Sequence, residues 1–108
     1  MSNKIRAHFK NEVDALLPVL HETYRLIGLF QNDRNPRNEQ LLLEQLGQIG
    51  QQLTFFKPLL QPPKQPYFDA VLEDDLSIGD RIIALDTAVG AMHIEFAMPR
   101  AYMHQESQ

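Results

Sequence analysis

Residues 77–98, SIGDRIIALDTAVGAMHIEFAM, decide the fold class of this chain. From Ile78 to Met98, thirteen of twenty-one residues are apolar. Steps of three and four, the spacing of one helix face, separate the following apolar residues: Ile78, Ile82, Leu85, Val89, Met92 and Phe96. Alanines widen this stripe around the helix. A helix that is apolar on most sides lies either at the centre of a domain or in an interface between subunits.

Both ends of this helix carry local signals. Ser77 precedes Asp80 by three residues, which is a weaker form of the capping box that normally has Glu or Gln in the second position. Pro99 marks the end of the helix within a residue or two because it cannot continue the hydrogen-bonding pattern. The residues 100–108 form a polar tail, for which partial disorder is one expectation.

Two more helical stripes come earlier in the chain. Apolar residues at helical spacing predict one helix over about 3–31, bent because Pro18 removes a backbone hydrogen bond. The second stripe predicts a helix that begins with Asn35 as N-cap and Pro36 in the first position, and that runs to about residue 60. The two together form a helical hairpin over 3–60.

Gly47 and Gly50 lie inside the second stripe. Two glycines in a helix interior cost about 2 kcal/mol in helix propensity relative to alanine. We expect a neighbouring backbone to pass close to them as compensation.

A proline-rich stretch separates the hairpin from the C-terminal half of the chain. Three prolines within five residues make 61–66 a semi-rigid, extended connector. A short helix is predicted over 67–72, so the C-terminal helices span 67–98. The predicted fold is all-α, an antiparallel helical bundle of three long helices plus one short helix, in a single domain over 1–99.

Length and composition exclude several classes of protein. A chain of 108 residues is the size of one domain, and 44% hydrophobic residues are too many for a disordered chain. Because the chain has no cysteine, disulfides, thiol nucleophiles and cysteine-ligated metal sites are excluded. Neither a His-x-x-x-His nor a Glu-x-x-His pair occurs, so we predict no metal site, no cofactor and no catalytic residue.

The net charge of −4 is concentrated in one window. Five acidic residues and no basic residue lie between Asp69 and Asp80, and the rest of the chain is nearly neutral. No basic stripe is present, which argues against a nucleic-acid partner. No apolar stretch is long enough for a membrane span, and the N-terminus does not resemble a secretion signal, so a cytoplasmic protein is expected.

A polar seam on the last helix is the candidate ligand site. One side of that helix carries the following residues: Gly79, Asp86, Gly90, His93 and Ala97. One interpretation is a ligand pocket, or an acid–base pair of Asp86 and His93 about 10 Å apart, with His21 or Tyr24 opposite. The other is that the glycines permit close helix packing while the polar pair forms hydrogen bonds to the first helix.

The C-terminal region offers a candidate interaction segment. Met98, Tyr102 and Met103 lie at or beyond the end of the last helix, and methionine and aromatic side chains are common at binding surfaces. We therefore expect a small, non-enzymatic regulatory or adaptor protein whose partners are a second copy of itself, in a homodimer, and a further protein. The alternative is a small-ligand-binding protein or enzyme that uses the seam of Asp86 and His93.

Overall fold

A computed structural model describes residues 9–96 of the chain. Within this range 86% of the residues are helical and no strand occurs, so the all-α prediction is confirmed. The described helices have the following bounds: α1 Lys10–Asn32, α2 Pro36–Phe56, α3 Gln65–Val71 and α4 Ile78–Phe96, with short 3₁₀ turns at Lys57–Leu59 and Pro62–Lys64. The first helix was predicted from about residue 3, but α1 begins at Lys10 because Phe9 is not helical. The predicted stop at Pro99 and the tail at 100–108 lie outside the described residues.

Helix α1 contains a proline in its interior. It begins at Lys10, after Phe9 in a non-helical conformation, and continues through Pro18. Val13, Leu16 and Leu20 are all fully buried on one side of it. Burial of three such side chains contributes roughly 5–8 kcal/mol, which exceeds the cost of about 3 kcal/mol for the proline.

A three-residue loop leads from α1 into α2. The Asn35 side chain accepts a hydrogen bond from the Asn38 backbone N–H at 2.8 Å, and Pro36 is the first helical residue, as predicted. The buried Asn38 side chain in turn donates to the Asp33 carbonyl at 2.8 Å. These bonds fix the direction in which α2 leaves the loop.

Helices α1 and α2 pack side by side and antiparallel. The rings of Phe9 and Phe55 meet edge to face at 5.7 Å between centroids. Nearer the loop, the Gln45 amide donates to the Val19 carbonyl at 3.2 Å and to the Thr23 hydroxyl at 3.1 Å. Later residues of α1 thus contact earlier residues of α2, which shows that the two helices run antiparallel.

The proline-rich stretch is more compact than the sequence predicted. Instead of an extended connector over 61–66, Pro62–Lys64 forms a 3₁₀ turn and α3 already begins at Gln65. The prolines are tolerated because the first turn of a helix leaves its N–H groups without intrahelical partners. The Gln65 side chain donates to the Leu60 carbonyl at 3.0 Å and closes the turn.

Helix α4 packs along α3 and also reaches α2. The Ser77 hydroxyl accepts from the Asp80 N–H at 3.1 Å, which confirms the predicted cap. Leu85, Val89 and Met92 are fully buried and join side chains of α1, α2 and α3 in one core.

The two glycines of α2 have different surroundings. A Cβ atom on Gly50 would lie 2.6 Å from Leu72 Cδ2 and 2.7 Å from Leu72 Cγ, just beyond α3. A Cβ atom on Gly47 would meet nothing within 4 Å. The expected close neighbour therefore exists at Gly50 only, and it is a side chain rather than a backbone.

The contrast between these glycines gives a matched pair of variants. Gly50→Ala is expected to lower the free energy of unfolding by about 1–2 kcal/mol, because the branched carbon of Leu72 must move. Gly47→Ala is expected to raise it by about 1 kcal/mol through helix propensity alone. Urea unfolding of the two variants checks this, and a shift of both in the same direction would contradict it.

Candidate functional site

The structure brings two of the predicted ligand-site residues into direct contact. The Tyr24 hydroxyl of α1 donates a hydrogen bond to Asp86 Oδ1 of α4. Tyr24 is buried and Asp86 is half-buried. The bond ties α1 to α4 in the way that the second interpretation of the seam expected for Asp86.

The other three predicted ligand-site residues have separate surroundings. His21 is exposed on α1, and His93 is half-buried two turns along α4 from Asp86. A Cβ atom on Gly90 would meet nothing within 4 Å, so helices do not pack closely across this glycine.

Asp86 borders an open groove between the start of α4 and the loop that joins α1 and α2. The groove has a volume of about 760 Å³. Phe30, Ile78, Ile82 and Ile83 supply its apolar surface, and His93 and Gly90 do not line it. The groove thus includes one end of the predicted seam but not the other.

Three charged side chains surround this apolar surface. Arg34 lies in the loop with its guanidinium carbon 5.3 Å from the centroid of the Phe30 ring. Glu39 and Asp86 add two acidic groups on the α2 and α4 sides. The groove therefore combines apolar and polar side chains and has one more acidic than basic group.

The outward side of α4 is apolar as well. Ile83 is 62% exposed and Ile94 is 70% exposed. Steps of three and four place them on one stripe, which we call the α4 face and define as Gly79, Ile83, Thr87, Gly90 and Ile94. Since the opposite side of α4 is in the core, this helix has apolar residues on both sides.

Arg81 is a key residue that sequence reasoning missed. It is only 4% exposed, and its Nε donates to the Val71 carbonyl at the end of α3 at 2.8 Å. One of its terminal nitrogens lies 3.9 Å from the exposed carboxylate of Asp74. The signal was present, because Arg81 stands four and seven residues before the buried Leu85 and Ala88.

Cations from outside the acidic window compensate part of its charge. Lys57 Nζ donates to both carboxylate oxygens of Asp69 at 2.8 Å, and Arg81 approaches Asp74. Asp80 lies in the first turn of α4, where the helix dipole favours an acid. Three of the five acids thus have a structural explanation.

On the surface of α1, Glu22 and Arg25 form a two-pronged ion pair with distances of 2.7 and 2.8 Å. The hydrogen bond from Arg25 lowers the pKa of Glu22, although desolvation opposes the shift, and the bond raises the pKa of Arg25. A lowered carboxyl pKa means that the stabilisation is present above the unfolded pKa and disappears as the pH falls through the folded one. At this exposed position the effect is small.

No family model, curated protein or solved structure matches the chain. In residues 9–96, no three His, Asp or Glu side chains come together in a way that could hold a metal ion. Over the same range, no helix is both long enough and apolar enough to cross a membrane. Met98, Tyr102 and Met103 lie outside the described residues. The functional assignment therefore depends on the α4 face and the groove.

Replacement of Arg81 tests whether it fastens α3 to α4. Arg81→Met keeps the apolar stem but removes the donor to the Val71 carbonyl, and is expected to cost about 1–3 kcal/mol of unfolding free energy. Arg25→Met, which removes an exposed arginine, is the control and is expected to leave the melting temperature unchanged. Thermal unfolding of both variants measures the difference. Wild-type stability of Arg81→Met would contradict this role.

A double-mutant cycle tests the Tyr24–Asp86 bond. Tyr24→Phe and Asp86→Ala are expected to show a coupling energy of about 1 kcal/mol, because each variant alone already loses the shared bond. Thr87→Ala is the control, since the Thr87 hydroxyl donates within α4 to the Ile83 carbonyl. Its effect should add to that of Tyr24→Phe. Additive effects of Tyr24→Phe and Asp86→Ala would mean that the bond contributes nothing to stability.

Proposed function

We propose that this protein is a non-enzymatic interaction module that forms a homodimer through the α4 face and, as a regulatory or adaptor protein, binds a further protein. The observation that carries the proposal is the exposure of Ile83 and Ile94 on one stripe of α4, at 62% and 70%. Single exposed apolar side chains are ordinary on protein surfaces, but two on one helix stripe, about 16 Å apart with small residues between them, can form the two ends of one contact surface.

The small residues between the two isoleucines favour a helix as the partner. Thr87 and Gly90 lie between Ile83 and Ile94, and the space above Gly90 is open. Helices pack with their axes about 8–10 Å apart, and small side chains at the crossing point allow the closer distances in this range. Large side chains on either side of small ones give a surface that a similar helix can complement.

The energies indicate that the α4 face needs additional contacts. Burial of an isoleucine that is two-thirds exposed contributes on the order of 1–2 kcal/mol, so four in a dimer contribute roughly 4–8 kcal/mol. Loss of translational and rotational freedom on association costs about 4–15 kcal/mol. A stable dimer must therefore bury more surface than the isoleucines alone.

The second candidate function is small-ligand binding, with or without catalysis, at the Asp86 end of the predicted seam. It is favoured by the groove, whose 760 Å³ falls within the roughly 300–1,000 Å³ of ordinary ligand sites. A ligand there would meet apolar walls and the carboxylates of Asp86 and Glu39. Unlike dimerisation, such binding does not require Ile94.

Light scattering after size-exclusion chromatography tests the dimer. The wild-type chain is expected at twice its mass of 12.5 kDa, and dilution should dissociate it. Ile83→Glu and Ile94→Glu are each expected to weaken the dimer by on the order of 100-fold, because each buries an unpaired charge in the interface.

Tyr67→Glu is the matched control. It also places a carboxylate on an exposed large side chain, but on α3, and should leave the dimer intact. A wild-type mass of 12.5 kDa at every concentration would overturn the proposed dimer and favour the ligand-binding candidate.

A further inference from the structure

The groove beside the α4 face is open to solvent. Its apolar walls include Ile82 and Ile83, and Ile83 also belongs to the α4 face, so the two surfaces are continuous. A second copy that covers the α4 face therefore also lies close to the groove.

If two copies of the α4 face pack antiparallel, the isoleucines of one copy meet those of the other and the small residues meet each other. Ile83 and Ile94 are nearly equidistant from Ala88, as are Thr87 and Gly90. An antiparallel pair with its two-fold axis near Ala88 places Ile83 against the partner's Ile94 and Thr87 against the partner's Gly90. It also opposes the two helix dipoles, which is the favourable arrangement.

Polar side chains are compatible with the same register. Asp86 and His93 lie on one flank of the α4 face, on the side of the groove. In an antiparallel two-fold pair the same flanks of the two helices meet. The acidic Asp86 of one copy then lies within about one helical turn of the partner's His93, and this happens twice per dimer.

In this register, the end of one α4 lies over the groove of the other copy. Gly79 and Ala97 are each nine residues from Ala88, so Gly79 lies opposite the partner's Ala97. We propose that the groove binds residues 97–103 of a second copy, which follow α4 in the chain. This inference rests on the proposed homodimer and specifies its geometry.

The chemistry of that segment matches the groove. Its sequence, AMPRAYM, provides the apolar side chains predicted for interaction, Met98, Tyr102 and Met103. They suit walls built from apolar residues. Arg100 provides a single positive charge without an acid beside it, and the groove presents an acidic excess from Glu39 and Asp86.

The segment cannot place Met98 in the groove of its own chain. The groove residue of α4 nearest to Phe96 is Asp86, ten residues away, which is about 15 Å in a helix. Met98 is only two residues beyond Phe96, and two residues span at most about 7 Å. Tyr102 and Met103 have enough chain to reach it, so Met98 is the residue whose docking requires a second copy.

Disulfide cross-linking tests this register directly, because the chain contains no cysteine. The double variant Gly79→Cys/Ala97→Cys is expected to form a covalent dimer under mild oxidation. A Cβ at Gly79 meets nothing closer than 3.9 Å, so the substitution fits the fold. Each single variant should stay uncross-linked, because the two copies of either position lie about 27 Å apart in the antiparallel pair.

Gly47→Cys/Ala97→Cys is the control. Gly47 also has room for a Cβ atom within a helix, but it lies on α2, so no covalent dimer is expected. Met98→Glu in the full chain provides a second measurement, in which the dissociation constant should rise by about tenfold or more. Thermal unfolding of the reduced variants verifies that each is folded.

The outcomes separate the two proposals. A wild-type monomer in light scattering overturns both. A wild-type dimer that gives no Gly79–Ala97 cross-link, that cross-links through Gly79→Cys alone, or whose affinity is unchanged by Met98→Glu overturns only the docking of residues 97–103. A wild-type dimer with the Gly79–Ala97 cross-link and a weakened Met98→Glu variant supports both.

Discussion

The buried guanidinium of Arg81 fixes the relation between the last two helices. By donating to the Val71 carbonyl, it holds the end of α3 against the first turn of α4. That in turn places Leu72 directly over Gly50, where any Cβ atom would force the Leu72 side chain to move. Helices α3 and α4 therefore pack on α2, which also packs against α1. This packing sets the orientation of α4 about its own axis.

Once that orientation is set, helix geometry determines which residues face outward. With Leu85, Val89 and Met92 in the core, the rotation of about 100° per residue carries Ile83 and Ile94 to the opposite side. Their exposure therefore follows from a well-packed core rather than from a poorly covered helix. Burial of Ile83 and Ile94 within the same chain would require α4 to rotate, and the core contacts of Leu85, Val89 and Met92 would then be lost.

The sequence was sufficient to predict the helices and caps, but not the contacts between distant elements. The caps at Asn35 and Ser77 were predictable because a side chain and a backbone N–H three residues apart form them. The contact of Gly50 with Leu72 joins residues that no local pattern connects. Arg81 was missed because its charge suggested a surface position, although its spacing from Leu85 indicated the core. For the candidate site, only the contact of Asp86 with the first helix was anticipated.

In the proposed homodimer, two-fold symmetry would let modest surfaces make a specific contact. Each contact of the groove with residues 97–103 of the second copy would occur twice, as would each contact between the two α4 faces, so weak contacts would count double. The groove also adds selectivity, because it combines apolar side chains with Glu39 and Asp86, whose two negative charges exceed the one positive charge of Arg34. A partner with a basic, apolar segment would complement both surfaces, and residues 97–103 of this chain have that composition. An intermolecular contact of this kind requires no closed cavity in either copy, which is consistent with an open groove beside an uncovered helix.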